Sequence, residues 1–312
     1  MLNPLGIRYP IVQAGMAAFT TPELVAAVSN AGGLGTIGTV FRAVDDVRQE
    51  IIAVRSMTNQ PFAVNVVLAE PHDALMDIIL TERVPVISTS WGDPTSVIAR
   101  CHASGLLAMH QVETVAEAER VIAAGVDVLI AQGSDGGGHV GKVGTMALVP
   151  AVVDVAGEVP VLAAGGIADG RGMAAALALG ARGVLVGTRF LATNEAAIIP
   201  GWKEAILAAR PEDAWSTDID DLIGENDWPG ATVRALVNSF MRTWHGRDAE
   251  IADHRAELQA HLQAADVAGD AEQQFLYAGA SAGLIHEILP AAEVVTRMID
   301  DARRTLRILT LP

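Results

Sequence analysis

One stretch of this chain joins a base to an unusually bare backbone: Gln132-Gly133-Ser134-Asp135-Gly136-Gly137-Gly138-His139-Val140-Gly141. It follows the apolar segment Val126 to Ala131, so it reads as a buried strand running into a loop. Gly137 and Gly138 let backbone amides approach a bound molecule closely. The imidazole of His139 is the kind of group that removes a proton from an activated carbon, because imidazole titrates near neutrality. A flexible turn carrying a surface histidine is the competing reading. Two further glycine-rich strand ends lie downstream, Ala164-Gly165-Gly166-Ile167-Ala168-Asp169-Gly170 and Gly187-Thr188-Arg189-Phe190.

The elements that must position these loops recur with a nearly fixed step. Apolar runs read as strands at Pro10 to Ala14, Leu34 to Gly38, Phe62 to Leu68, Val84 to Thr89, Leu106 to His110, Val126 to Gln132, Pro160 to Ala164 and Val184 to Gly187. Helical spacing lies between them, at Thr21 to Ala31, Val44 to Arg55, Pro71 to Thr81, Thr95 to Ala103, Thr114 to Ala124 and Gly170 to Leu179. Thr21 before Pro22 and Asp93 before Pro94 are candidate N-caps. Eight strand-then-helix units predict an α/β fold, a (β/α)8 TIM barrel. An open sheet is the alternative, but no Gly-x-Gly-x-x-Gly follows the first strand.

The rhythm stops after Ala192. We divide the chain into a barrel over 1–196, a smaller and mainly helical insertion over 197–275 acting as a lid, and a return to the barrel over 276–312, where a long amphipathic helix could close the ring.

Barrel active sites sit at the C-terminal ends of the strands, and the loops after strands seven and eight commonly bind phosphate. That rule selects Gly165, Gly166, Gly187 and Thr188 as an amide cradle, although the same glycines could serve only as tight turns. Other strand ends offer Gln13, Gly15 and Met16 after the first strand, Asn65 in the third, Ser88 and Ser90 in the fourth, His110 and Gln111 in the fifth, and Gln132 in the sixth. Asn65 interrupts an apolar run, so its amide needs either a bound heterocycle or a partner in the core.

Composition narrows the classes. A net charge of -16 opposes a nucleic-acid partner, whose affinity draws on clustered Lys and Arg. The single Cys101 excludes an internal disulfide and a thiolate cage, and no His-x-His or His-x-x-x-His pair starts a metal site. No apolar run reaches membrane-spanning length, and no basic region leads into a signal core at the N-terminus. We therefore expect no membrane association and a cytoplasmic location. Barrel helices rich in Ala and Leu are compatible with a homodimer.

The segments Pro10-Ile11-Val12-Gln13-Ala14-Gly15-Met16, Ser29-Asn30-Ala31-Gly32-Gly33-Leu34-Gly35, Gly137-Gly138-His139, Ala163 to Gly170 and Gly187-Thr188-Arg189-Phe190 occur in an order that resembles the nitronate monooxygenase family, formerly 2-nitropropane dioxygenases. The flavin-dependent enoyl-acyl-carrier-protein reductases are similar in the same motifs. The resemblance implies FMN as cofactor, with its phosphate on Gly165, Gly166, Gly187 and Thr188, and with Met16, Asn65 and Gln132 near the ring or ribityl chain. It also implies His139 as the base. The family position at Gln111 is often a lysine, so a neutral residue here leaves one fewer positive charge for reduced, anionic flavin. Two small-molecule activities follow from it: oxidation of nitronates or nitroalkanes with O2, or NAD(P)H-dependent reduction of an enoyl thioester on acyl carrier protein or CoA. A non-catalytic flavin- or phosphate-binding protein is the third reading.

Overall fold

The structure, a computed structural model, describes residues 3–308 apart from 227 and 229. Strands form at β1 (Ile11–Gln13), β2 (Gly35–Gly38), β3 (Phe62–Val67), β4 (Val86–Ser90), β5 (Leu107–Val112), β6 (Val128–Gln132), β7 (Gly138–Val140), β8 (Val161–Ala164) and β9 (Gly183–Val186). All but β7 pair in parallel in the order β1-β9-β8-β6-β5-β4-β3-β2. The isolated bridge Val12↔Leu34 joins β1 to the start of β2 and closes the ring. The eight expected strands are therefore the eight of a (β/α)8 barrel, each within about two residues of its expected bounds.

Strand residues alternate between two cores because successive side chains point to opposite faces. Val12, Ala63, Val86, Met109, Val128, Ile130 and Leu162 fill the barrel interior, and Leu5 plugs its N-terminal end. Their neighbours Ile11, Val64, Ile87, Ala108, Leu129, Ala131 and Val184 pack outward against the helices. Each such side chain stabilises the fold by about 1.5–3 kcal/mol relative to exposure. A charged residue at Leu162, which is fully buried, would unseat the inner layer.

Side-chain caps start several of the helices. Thr21 accepts a hydrogen bond from Leu24 N at the helix Pro22–Asn30, and Thr114 and Glu117 form a reciprocal capping box at Val115–Ala123. Asp93 sits one residue further out than a cap: its carboxylate accepts from Thr95 N at 3.0 Å, while Pro94 precedes the helix Thr95–Ala103. The amphipathic helix Ala291–Ile308 packs against Pro22–Asn30 and Gly170–Ala178 in the outer layer. Among the described residues, no helix is long and apolar enough to cross a membrane.

The segment after β9 carries the helices Pro200–Ala208, Ile219–Gly224, Ser239–Trp244, Asp248–Asp253 and Arg255–Ala268. It also holds an antiparallel sheet absent from the sequence reading. β10 (Ala214–Thr217), β11 (Thr232–Leu236) and β12 (Leu276–Tyr277) pair in that order, and β7 joins β11 from the barrel side.

Candidate active site

Strand parity decides what reaches the barrel mouth. Continuing each inward-pointing row by two residues takes Ala63 to Asn65 and Val67, Val86 to Ser88 and Ser90, Met109 to Gln111, and Ile130 to Gln132. All of these line a cavity of about 420 Å³ at the C-terminal ends of the strands. Gly15 and Met16 line it from the loop after β1, and a Cβ added at Gly15 would lie 2.6 Å from Asn65 Cβ. Only glycine lets that loop lie against β3.

Gln13 does not belong to this set. Val12 and Ala14 face the interior, so Gln13 shares the outward parity of Ile11, and its amide is fully buried between β1 and β2. There it accepts from Thr36 N at 2.9 Å and donates to Thr36 O at 3.2 Å. The polar strand end is a core bridge, not a cavity residue. His110 is likewise turned outward, with Nδ1 2.7 Å from Thr89 Oγ1, and burial lowers its pKa to about 4.

His139 is held by backbone pairing, which excludes a loose turn. In the β7–β11 ladder Gly138 faces Arg234, His139 faces Val233 and Val140 faces Thr232. Arg234 adds a hydrogen bond from Nε to Ser134 O at 2.8 Å. Gly138 (φ 71°) supplies the left-handed turn into β7. A Cβ on Gly137 would fall 2.5 Å from Gly279 N, so the histidine loop packs backbone to backbone on the C-terminal return.

The connection between β10 and β11 supplies two partners of the ring, Asp221 and Trp228. His139 Nε2 lies 2.8 Å from Asp221 Oδ1, and the two side chains are 11% and 17% exposed. Adjacent Asp220 accepts from Tyr277 Oη at 3.0 Å. Burial raises the Asp220 carboxyl to about 6, against the lowering effects of Tyr277 and of His139. Burial also pushes the Tyr277 phenol well above its ordinary value, with the Asp220 carboxylate acting in the same direction. Trp228 stacks on the imidazole with centroids 3.8 Å apart, and Trp91 meets it edge-on at 6.3 Å. Trp91 holds φ 55°, a left-handed conformation that a bulky residue adopts only under strong constraint. His139, Asp220 and Asp221 each offer one metal-ligating atom within 4.8 Å of one another, but the two carboxylates are already engaged by Tyr277 and the imidazole.

Another wall of the cavity is made of backbone. Gly165 (φ 96°) and Gly166 (φ 75°) turn the chain sharply after β8, and Gly187 and Thr188 follow β9. Among the described residues, none of these four N–H groups donates to a protein acceptor. Thr188 is buried and the three glycines are partly buried, so these free donors along the cavity suit an anion or another strong acceptor. Thr188 Oγ1 accepts from Gly279 N at 3.0 Å, fixing the C-terminal return against this wall.

Of the expected site residues, Gly15, Met16, Asn65, Gln111, Gln132, Gly137, Gly138, His139, Gly165, Gly166, Gly187 and Thr188 share one cavity, and Gln13 lies outside it. Sequence reasoning missed Trp91, Asp220, Asp221 and Trp228. The only local trace of the carboxylates is the acidic run Asp218-Ile219-Asp220-Asp221, and nothing in it points to a histidine 82 positions earlier.

The sequence profile of the nitronate monooxygenase family matches residues 1–78 and 71–301. A probable nitronate monooxygenase of Staphylococcus saprophyticus is 34% identical, over 91% of this chain and 92% of that protein. Among solved structures, FabK from Thermotoga maritima is 39% identical with a TM-score of 0.90, covering 98% of this chain and 96% of that one. The nitroalkane oxidase of Streptomyces ansochromogenes is 32% identical with a TM-score of 0.86, covering 99% of both chains. The chain belongs to the nitronate monooxygenase family of oxidoreductases.

Proposed function

We propose that this protein is an FMN-dependent oxidoreductase that oxidises nitroalkanes and nitronates with O2, using His139 as base. The observation that carries the reading is the His139–Asp221 pair beside a cavity that is also lined by four unpaired N–H groups. Those amides, of Gly165, Gly166, Gly187 and Thr188, fit a phosphate monoester: they present donors without a competing side-chain charge. Met16, Asn65, Gln111 and Gln132 would hold the ring and ribityl chain. FMN, when bound, supplies the electron acceptor that none of the side chains in the cavity provides.

The chain's own part is proton chemistry. Asp221 accepts from Nε2–H, which keeps the neutral imidazole in one tautomer and leaves Nδ1 as the basic atom. Nδ1 has no protein partner among the described residues, so it is free to take the proton alpha to a nitro group. The imidazolium that results gains from the Asp221 and Asp220 carboxylates and from the face of Trp228. With a preformed nitronate this step is not needed. Replacing His139 with alanine should leave FMN bound and suppress nitroalkane turnover while sparing nitronate turnover; full nitroalkane activity would defeat the assignment.

The likeness to FabK favours a second reading, reduction of an enoyl thioester by NAD(P)H through FMN. Against it, no Lys or Arg is among the described residues lining the cavity, so no side-chain cation there complements a pyridine nucleotide's phosphates. Anaerobic mixing separates the two. Bleaching of the flavin by NADH or NADPH but not by a nitronate would overturn the first reading.

A further inference from the structure

Glu113 sits directly behind the cavity wall, and neither the family motifs nor the proton chemistry accounts for it. It continues the inward row Met109, Gln111 by two residues, is 6% exposed, and packs under the histidine loop, where a Cβ on Gly141 would come within 2.6 Å of Glu113 Cβ. Gln111 Nε2 donates to Glu113 Oε1 and to Gln132 Oε1, each at 2.9 Å. An amide nitrogen has only two hydrogens, so both are spent. Among the described residues Gln111 Oε1 and Gln132 Nε2 have no protein partner, while both residues line the cavity.

We propose that Glu113 is a positioning residue for the cofactor: its carboxylate fixes the polarity of two amides, so that the wall offers one acceptor, Gln111 Oε1, and one donor, Gln132 Nε2. A ligand edge bearing a carbonyl beside an N–H, as the flavin pyrimidine does, complements that pair. A protonated Glu113 is a donor as well as an acceptor, so Gln111 is free to reverse and the pattern is no longer fixed. Burial raises the Glu113 carboxyl to about 7, with Gln111 opposing the shift and Glu117 adding to it. Glu117 is the ionisable group acting on it; the other faces against it are Gln111 and Gly141, which are uncharged. Glu117 Oε2 is itself engaged by the N–H groups of Glu113 and Thr114.

This inference rests on the FMN reading, and the test separates the two. Apoprotein is titrated with FMN between pH 5.5 and 8.5, and affinity is read from quenching of flavin fluorescence, with the visible spectrum of the complex recorded alongside. Because the phosphate of FMN itself titrates near pH 6, the quantity of interest is wild type relative to each variant at the same pH. Glu113→Gln cannot ionise and, like the protonated acid, offers both a donor and an acceptor to Gln111. It should bind at every pH about as weakly as the wild type does at pH 6, a few-fold below the wild type at pH 8, and so lack the wild type's step near neutrality. Glu113→Leu should bind about tenfold more weakly at pH 8, the loss of one charge-assisted hydrogen bond's orienting effect, with an altered visible spectrum. Variants that bind FMN with the wild-type affinity, pH profile and spectrum would overturn the role of Glu113 and leave the FMN reading standing. A wild-type protein that binds no FMN at any pH would overturn both.

Discussion

Asp221 makes the sharpest claim about this site, because it has no counterpart in the motifs around His139. Changing it to asparagine keeps the size and an oxygen that can accept from His139 Nε2, but removes the charge 2.8 Å from the ring. Both side chains are largely screened from solvent, at 11% and 17% exposure, so the pair is not of the kind that solvent neutralises. A charge-assisted hydrogen bond in such a setting contributes about 1.5–3 kcal/mol, and the imidazolium formed as the proton is taken gains more from it than the neutral ring does. The barrier to proton abstraction should therefore rise by roughly that amount, lowering kcat for a nitroalkane by about 10- to 150-fold. With a preformed nitronate there is no proton to remove, and kcat should change less than about threefold. Steady-state oxygen consumption on a matched nitroalkane and nitronate measures both, and an α-deuterated nitroalkane should show a larger isotope effect in the variant. An equal loss on the two substrates would mean that Asp221 holds the fold or the flavin instead, and no loss on the nitroalkane would refute the dyad outright.

Three further outcomes follow. Gly166→Ala places a side chain at φ 75° with its Cβ 3.2 Å from Asp135 Cβ, so FMN affinity should fall by about tenfold, measured by fluorescence titration, while nucleotide-free unfolding shifts by only about 1 kcal/mol. Trp228→Leu removes the face stacked on His139 at 3.8 Å; kcat for nitroalkanes should drop by about three- to tenfold with FMN affinity unchanged, and equal activity would deny the ring a role. Glu113 has a folded pKa near 7, above its unfolded value near 4.5, so the fold prefers it protonated. Stability is greatest below the unfolded value and declines as pH rises to about 7. In urea unfolding between pH 5 and 8 the wild type should lose up to about 3 kcal/mol relative to Glu113→Gln; parallel profiles would contradict the buried carboxyl.

The barrel and its amide wall were legible because they are local. A strand buried on both faces reads as an apolar run, and a chain that must turn at φ 75° to 96° after that run writes glycine there, as at Gly165 and Gly166. What failed was anything decided across the chain. Gln13 ends a strand as Gln132 does, yet the row through Val12 turns it outward while the row through Ile130 brings Gln132 to the mouth. Asp221 meets His139 only through the β7–β11 ladder, and the strands of that sheet are two to five residues long, too short to impose a period on the helical sequence around them. Glu113 directly follows β5, and nothing in its own residue type or neighbours marks it. Its meaning depends on Gln111, whose own partners come from two strands.

The ladder that seats His139 has a consequence for how this enzyme must work in time. The backbone of His139, the proposed base, is a strand of the sheet that also carries β10 and β11, and its carboxylate partner Asp221 and stacked Trp228 come from the connection between those two strands. Any swing of that segment large enough to widen the entrance would carry His139, Asp221 and Trp228 away from the bound substrate together. Admission and proton abstraction would then be interlocked: an open molecule has no base in place, and a molecule with its base in place is shut. A reactive carbanion could form only after bulk water had been excluded, with no separate latch to coordinate the two events.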